Sequence, residues 1–312
     1  MIMTHHFKGK HILHGNQFSR QDLEEIMSMA REFETKSNEG QIPPLMQGKI
    51  LATLFFEPST RTRLSFESAM HRLQGAVVSV ASAETSSAAK GETIADTART
   101  VSQYADIIVI RHPKVGSARE AAEAASVPVI NAGDGAGQHP TQALLDVYTI
   151  QKELRSMDGI TISLVGDLKF GRTVHALVEL LSLYETKLIL VSPESLKMPK
   201  DMTGTLKERG IDVTETERLG EALPSSDLLY VTRIQKERFS DPSEYESLKG
   251  SYIVSDQILR EAQKEPIIMH PLPRVDEITT DVDVRPGAAY FRQVRNGVFV
   301  RMALLAMVTG AV

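Results

Sequence analysis

Hydrophobic positions along the chain follow two rhythms. Leu23, Ile26, Met27, Ala30 and Phe33 recur at three- and four-residue spacing and form one helical stripe. Ser19, with Asp22 three residues on, supplies a capping-box start, and Gly40 lies near the expected end. The rhythm changes at Ile50, where Ile50-Leu51-Ala52-Thr53-Leu54-Phe55-Phe56 predicts a buried strand. Leu64, Phe66, Ala69, Met70 and Leu73 then return to helical spacing from about Thr60. The alternation repeats. Ala76 to Val80 precedes a small-residue loop and a helix from about Glu92 to Tyr104; Asp106 to Arg111 precedes a helix near Ala118 to Ala125. Pro128 to Asn131 precedes a Gly-rich loop and a helix from Pro140 to Arg155. Strand–helix alternation of this kind predicts a mostly parallel sheet covered on both faces.

After Ser156-Met157-Asp158-Gly159 the pattern restarts, with a strand at Ile160 to Val165 and a helix at Arg172 to Tyr184. Lys187 to Val191, Asp212 to Thr214, Leu228 to Thr232 and Ile267 to His270 are further strand candidates. The expected fold class is therefore α/β, with two doubly wound domains joined through the helix around 140 to 155. A final apolar helix, Val298 to Thr309, packs on one domain or the other; the pattern does not say which.

Composition narrows the function. The 312 residues carry a net charge of −5, which argues against general nucleic-acid binding. No apolar run reaches the length of a membrane span, and the first ten residues lack the apolar region of a signal peptide. The absence of cysteine removes disulfides, thiolate metal sites and cysteine nucleophiles, and is compatible with a cytoplasmic location. The nine histidines do not cluster at ligand spacing, so no metal is expected.

Against this acidic background, arginines and histidines gather where strands end. Pro58-Ser59-Thr60-Arg61-Thr62-Arg63 lies at a strand-to-helix junction, where free backbone N–H groups and the helix dipole favour an anion. Its hydroxyl and guanidinium groups suit phosphate oxygens, although a single Ser would be enough to cap the helix. Arg111 closes another strand, either as a boundary residue or as an anion ligand. His139 and Gln142 open the helix at Pro140, and two neutral donors there suit a carbonyl or amide better than a phosphate. Gly166 to Arg172 lacks the middle glycine of a dinucleotide fingerprint, and no Walker lysine pattern occurs. Arg172 and Arg233, each beyond a strand of the second half, fit a dicarboxylate; alternatively, Arg233 joins the solvated run with Lys236, Glu237 and Arg238. Ser86 to Glu92, taken alone, reads as a surface loop in which Lys90 is the one cation. Together these strand ends point to one anion-rich cleft between the domains.

The combination resembles the aspartate/ornithine carbamoyltransferase family over almost the whole chain. The blocks that carry the resemblance are Phe56 to Arg63, Lys90-Gly91-Glu92, Arg111-His112-Pro113 and His139-Pro140-Thr141-Gln142. The second half adds Gly166 to Leu168 with Gly171 to His175, Thr232 to Arg238, and His270-Pro271-Leu272-Pro273-Arg274. The resemblance implies a carbamoyl phosphate-binding domain at 1–145 plus 291–312, and an aspartate-binding domain at 146–290. It implies that Ser59, Thr60, Arg61 and Thr62 take the phosphate, that Arg111 bridges phosphate and carbonyl oxygen, and that Thr62, Arg111 and His139 polarise the carbonyl. Gln142 and the backbone carbonyls of Pro271 and Leu272 hold the carbamoyl NH2. Arg172, Arg233 and Gln235 bind the acceptor's carboxylates, and Ser86 and Lys90 enter from an adjacent subunit of a homotrimer, Lys90 reaching both substrates. No cofactor is implied, and the presence of regulatory chains is left open. Ornithine-type relatives carry a cysteine where this chain has Pro271, so L-aspartate is the expected acceptor. The rival readings are a carbamoyltransferase for another amine and a non-catalytic binder of small anions. Two departures stand out: Ala89 where relatives often carry a second lysine, and the less typical Arg285 to Tyr290.

Overall fold

The computed structural model describes residues 5–84, 86–234, 243, 245–246, 250–262 and 264–312. It divides into two compact units, Met1–Tyr148 with Val294–Val312, and Thr149–Gln293.

The first unit contains α1 (Arg20–Asn38), β1 (Ile50–Phe55), α2 (Thr60–Arg72), β2 (Ala76–Val80), α3 (Ile94–Val101), β3 (Ile107–His112), α4 (Ser117–Ala124), β4 (Val129–Asp134) and most of α5 (Pro140–Leu154). Ser19 and Asp22 form the expected capping box, with Ser19 Oγ accepting from Asp22 N at 3.1 Å and Asp22 Oδ2 accepting from Ser19 N at 2.8 Å. The sheet runs β2-β1-β3-β4 with every pairing parallel. Ala52, Leu54, Ile108 and Ile110 form a core with Ala98, Ala118, Ala121 and Ala122 of α3 and α4. The alternate strand residues Leu51, Phe55, Ile107 and Val109 are buried as well, as expected of parallel strands covered on both faces. The edge strand β2 differs: Ala76, Val78 and Ser79 are exposed.

The second unit contains β5 (Thr161–Val165), α6 (Arg172–Leu181), β6 (Lys187–Val191), α7 (Lys200–Glu208), β7 (Asp212–Thr216), α8 (Leu219–Ala222), β8 (Leu228–Val231), α9 (Asp256–Glu261) and β9 (Ile267–Met269). Its parallel sheet runs β7-β6-β5-β8-β9. Val165, Val191, Leu229, Val231 and Ile268 pack with Leu219, Leu259 and Tyr290 in its core. The last helix, α10 (Tyr290–Thr309), begins well before Val298 and carries the chain back into the first unit. The Arg285 segment is anchored within the second unit, where Arg285 Nε meets Asp256 Oδ1 at 2.7 Å and Nη1 meets Glu265 Oε1 at 2.5 Å. Among the described residues no helix is long and apolar enough to cross a membrane.

Each sheet reverses its winding once. In the first unit the chain goes from β1 outward to β2, then returns to the other side of β1 for β3. In the second it winds through β6 and β7 before returning beside β5 as β8. Such switch points leave a crevice at the carboxyl ends of the two strands, where ligands bind in open α/β sheets.

Candidate active site

The β1–β3 switch point of the first unit places α2 directly after β1. Ser59 holds the N-cap position in extended conformation, yet its hydroxyl makes no capping bond. Simple capping therefore does not account for Ser59. The first amides of α2 lie outside the intrahelical ladder, and the hydroxyls of Ser59 and Thr60 sit beside them. Thr60 and Arg61 are exposed, whereas Thr62 is buried. Partial loss of hydration draws the Arg61 guanidinium below the ordinary arginine pKa, and it stays cationic at neutral pH. Arg63 instead turns toward β2, with Nη1 3.4 Å from Ser79 Oγ and Nε 4.0 Å from Glu67.

Arg111 lies across from Phe55 in the β1–β3 register, so the sheet itself brings it beside the start of the α2 junction. The β3–β4 pairing shifts register between Ile110 and His112, an irregularity of the kind that re-aims a side chain. The guanidinium is buried and held by two acceptors, Ala132 O at 3.1 Å from Nη1 and Glu57 Oε1 at 2.7 Å from Nη2. A buried cation with a carboxylate on one edge is fixed in plane and orientation. Glu57 is the residue that sequence reasoning missed; its only signal was a carboxylate at a strand end within a cation-rich block. His112 is structural, its Nδ1 accepting from Lys114 N at 3.0 Å and its pKa lowered by burial and by Lys114.

The loop after β4 is closed by Asp134 rather than left as a loose glycine tract. Its carboxylate accepts from Gln138 N at 2.7 Å and Gly116 N at 2.9 Å. Gly135 has φ +56, and a Cβ there would lie 2.4 Å from Pro113 O, so the turn needs glycine. The turn delivers His139 to the start of α5, with Pro140 as its first residue. His139 and Gln142 are both buried, and Gln142 Nε2 donates to Asp146 Oδ1 at 2.9 Å.

In the second unit the β5–β8 switch point carries the two arginines expected there. Gly166 has φ +112, and a Cβ would lie 2.3 Å from Thr232 O; this close approach ties the ends of β5 and β8 together. Asp167 Oδ1 accepts from Phe170 N at 2.9 Å and shapes the turn into α6, whose first residue is the half-buried Arg172. Arg233, also half-buried, follows β8 directly. A small recess at the ends of β5 and β8 is lined by Gly166, Thr232, Ile234, Tyr252 and Glu277.

Beyond β9, His270 Nδ1 accepts from Leu272 N at 2.7 Å and its Nε2 lies 2.6 Å from Glu277 Oε1. This pins the half-buried Pro271 and Leu272, the latter at φ +58. Arg274, the arginine of that block, is bound to Asp283 and to Tyr290 Oη. Ser86 uses its hydroxyl locally, donating to Ala83 O at 2.8 Å, and Lys90 is exposed at the end of the short turn Ser87–Lys90. Gln235 lies outside the described residues, as do Lys236, Glu237 and Arg238. The structure thus sets Ser59 to Thr62 and Arg111 at the adjacent ends of β1 and β3, His139 and Gln142 after β4, Ser86 and Lys90 after β2, and Arg172 and Arg233 after β5 and β8.

Comparison with known proteins gives the arrangement a family. Residues 10–152 match the model of the aspartate/ornithine carbamoyltransferase carbamoyl-P binding domain, and residues 158–308 that of the Asp/Orn binding domain. The chain belongs to the aspartate/ornithine carbamoyltransferase family. An aspartate carbamoyltransferase catalytic subunit of Thermococcus kodakarensis is 56% identical over 97% of this chain and 98% of its own. The catalytic subunit of M. jannaschii aspartate transcarbamoylase superposes with TM-score 0.89 at 53% identity, covering 95% of this chain and 96% of that one. Aspartate transcarbamoylase from Trypanosoma cruzi, solved with carbamoyl phosphate and aspartate, superposes with TM-score 0.92 at 46% identity and 98% coverage of both chains. Within this family, the two switch points correspond to the two ligand-binding domains that its models name.

Proposed function

We propose that this chain is an aspartate carbamoyltransferase, transferring the carbamoyl group of carbamoyl phosphate to the amino group of L-aspartate, an early step of pyrimidine biosynthesis. The observation that carries the reading within the structure is the β1–β3 switch point. The hydroxyl-rich start of α2 and the fixed guanidinium of Arg111 stand there on adjacent strand ends.

Ser59, Thr60, Arg61 and Thr62 bind the phosphate through amides, hydroxyls and one guanidinium. Thr62, Arg111 and His139 donate to the carbamoyl oxygen, and Gln142 with the carbonyls of Pro271 and Leu272 accepts from its NH2. Arg172, Arg233 and Gln235 clamp the two carboxylates of aspartate, a charge pattern that disfavours a cationic acceptor. The neutral amine attacks the carbamoyl carbon and forms a C–N bond. The carbonyl pair moves onto oxygen, where Thr62, Arg111 and His139 meet it. On collapse the C–O bond to phosphate breaks, and the departing phosphate takes the amine proton. No covalent enzyme adduct is required. Holding both substrates in attack geometry supplies up to ~7–11 kcal/mol of barrier reduction.

The working unit is a cytoplasmic homotrimer in which Ser86 and Lys90 complete the neighbour's site. The exposed loop bearing them supports this, as do the exposed apolar Leu64 (52%) and Val78 (45%) of α2 and β2. A colorimetric carbamoyl aspartate assay on the purified chain tests the activity, and its mass by light scattering tests the trimer. A folded chain that makes no carbamoyl aspartate from these two substrates ends the proposal.

A further inference from the structure

The buried charge network behind Gln142 has no part in the mechanism above. Asp146 is fully buried on α5, one turn beyond Gln142, and its Oδ1 accepts from Gln142 Nε2 at 2.9 Å. A buried cation of the same unit is Arg301 of α10, itself only 3% exposed. Arg301 Nη1 donates to Ser65 Oγ at 2.8 Å, and its guanidinium lies 5.0 Å over the Phe66 ring. Ser65 and Phe66 belong to α2, the helix whose first turn carries Ser59 to Thr62. Gly297, one turn before Arg301, leaves the space for it: a Cβ there would stand 2.6 Å from Arg301 Nη1.

The chemistry of the carboxylate sets the amide's direction. A primary amide has one accepting and one donating end of nearly equal size, and in a neutral surrounding it flips at little cost. An ionised carboxylate only accepts. Asp146 Oδ1 takes the acceptor role, so the NH2 of Gln142 lies on its side and Oε1 turns away. An amide so held presents an acceptor to the carbamoyl NH2; a flipped one would present donor to donor. We propose that Asp146 is a positioning residue that locks the Gln142 amide so that its oxygen selects the amino group of carbamoyl phosphate. The inference rests on the carbamoyl phosphate reading of the first unit.

Acetyl phosphate is the discriminating probe, because it keeps the mixed anhydride and replaces NH2 by methyl. Dissociation constants for carbamoyl phosphate and acetyl phosphate are measured by calorimetry on the wild-type chain, Asp146→Asn, Gln142→Ala and the double variant. The wild type prefers carbamoyl phosphate. Asp146→Asn, whose new amide no longer dictates the direction, loses about tenfold of that preference while its acetyl phosphate affinity stays within about twofold. In the Gln142→Ala background the same substitution leaves the ratio unchanged. A role in stability alone would weaken both ligands together. An unchanged ratio in folded Asp146→Asn, or equal loss of both ligands, overturns the positioning role. A wild type that does not distinguish the two ligands overturns the carbamoyl phosphate reading with it. If Asp146→Asn does not fold, the Gln142 side-chain amide of the 15N-labelled wild type decides. Slow proton exchange that carbamoyl phosphate leaves unaltered supports the lock, and exchange at the rate of an exposed amide refutes it.

Discussion

Replacing Arg111 by lysine keeps the charge and removes the geometry. The guanidinium meets Ala132 O at 3.1 Å and Glu57 Oε1 at 2.7 Å with two different nitrogens. A single ammonium cannot serve both, nor reach a substrate oxygen while doing so. Losing one charge-assisted bond costs about 1.5–3 kcal/mol of stability. At ~2–4 °C per kcal/mol for domains of this size, the melting temperature falls by about 3–12 °C. On the proposed mechanism the kinetic loss is larger, because the donor assigned to the developing oxyanion is displaced. One such donor is worth ~2.7–4 kcal/mol, so kcat falls on the order of 10²–10³-fold. The colorimetric carbamoyl aspartate assay at saturating substrates reads kcat, and a thermal melt on the same sample shows that the variant is folded. The KM for aspartate stays near the wild-type value, since Arg172 and Arg233 are untouched. A folded Arg111→Lys chain within threefold of wild-type kcat refutes the oxyanion assignment, however unstable the variant proves.

Arg61→Ala gives the complementary result: the side chain is exposed, so stability changes by less than ~0.5 kcal/mol, while turnover falls at least about tenfold. Full activity in that variant removes the phosphate role of the α2 start. Arg233→Ala raises the aspartate KM far more than the carbamoyl phosphate KM in initial-rate kinetics, and equal effects on both reject the carboxylate clamp. Glu277 provides a pH test. Burial pushes its pKa up, but the His270 bond and the Val275 amide outweigh this and hold it below the ordinary value of 4.5. A carboxylate depressed on folding stabilises fully above its unfolded pKa, and the gain fades as pH falls through the folded value. The stability difference between wild type and Glu277→Gln, from denaturant titrations, is therefore flat above about pH 5 and shrinks below 4.5. A difference that grows on acidification contradicts the His270–Glu277 account.

The parts legible in the sequence are those written in adjacent residues. The Ser19–Asp22 box needed only four positions, and it closes α1 as read. The run Ile50 to Phe56 followed by Ser59 to Thr62 placed hydroxyls at a helix start, because a buried strand and an amphipathic helix both show in local periodicity. Contacts between distant residues were not legible. Glu57 is 54 residues from Arg111, and only the β1–β3 register makes them neighbours. Helix α7 went unread because its buried side chains are few, Thr203 and Leu206, and leave no clear stripe. The early start of α10 was hidden by Arg292, Gln293, Arg295 and Asn296. Polar residues at helix positions look like loop unless the buried partners of Gln293 and Asn296 are known.

The buried Asp146 and Arg301, bonded to Gln142 and to Ser65, show why the support behind the site escapes periodicity altogether. Helical spacing at the end of α10 demands an apolar residue at 301, and a leucine or methionine there would pack among Phe66 and Leu145 without charge. Burial instead pulls the Arg301 pKa down to about 10, a displacement on the order of 3 kcal/mol against the buried cation. The glycine that makes room for it costs roughly another 0.5–1 kcal/mol inside a helix. Replacing buried charges by well-packed apolar residues is often neutral or stabilising, so fold stability alone does not account for it. What Arg301 does hold is α2: its bond to Ser65 Oγ ties α10 to the helix whose first turn carries Ser59 to Thr62. The long excursion of the chain through the second unit thus ends by bracing the helix that carries the proposed phosphate residues.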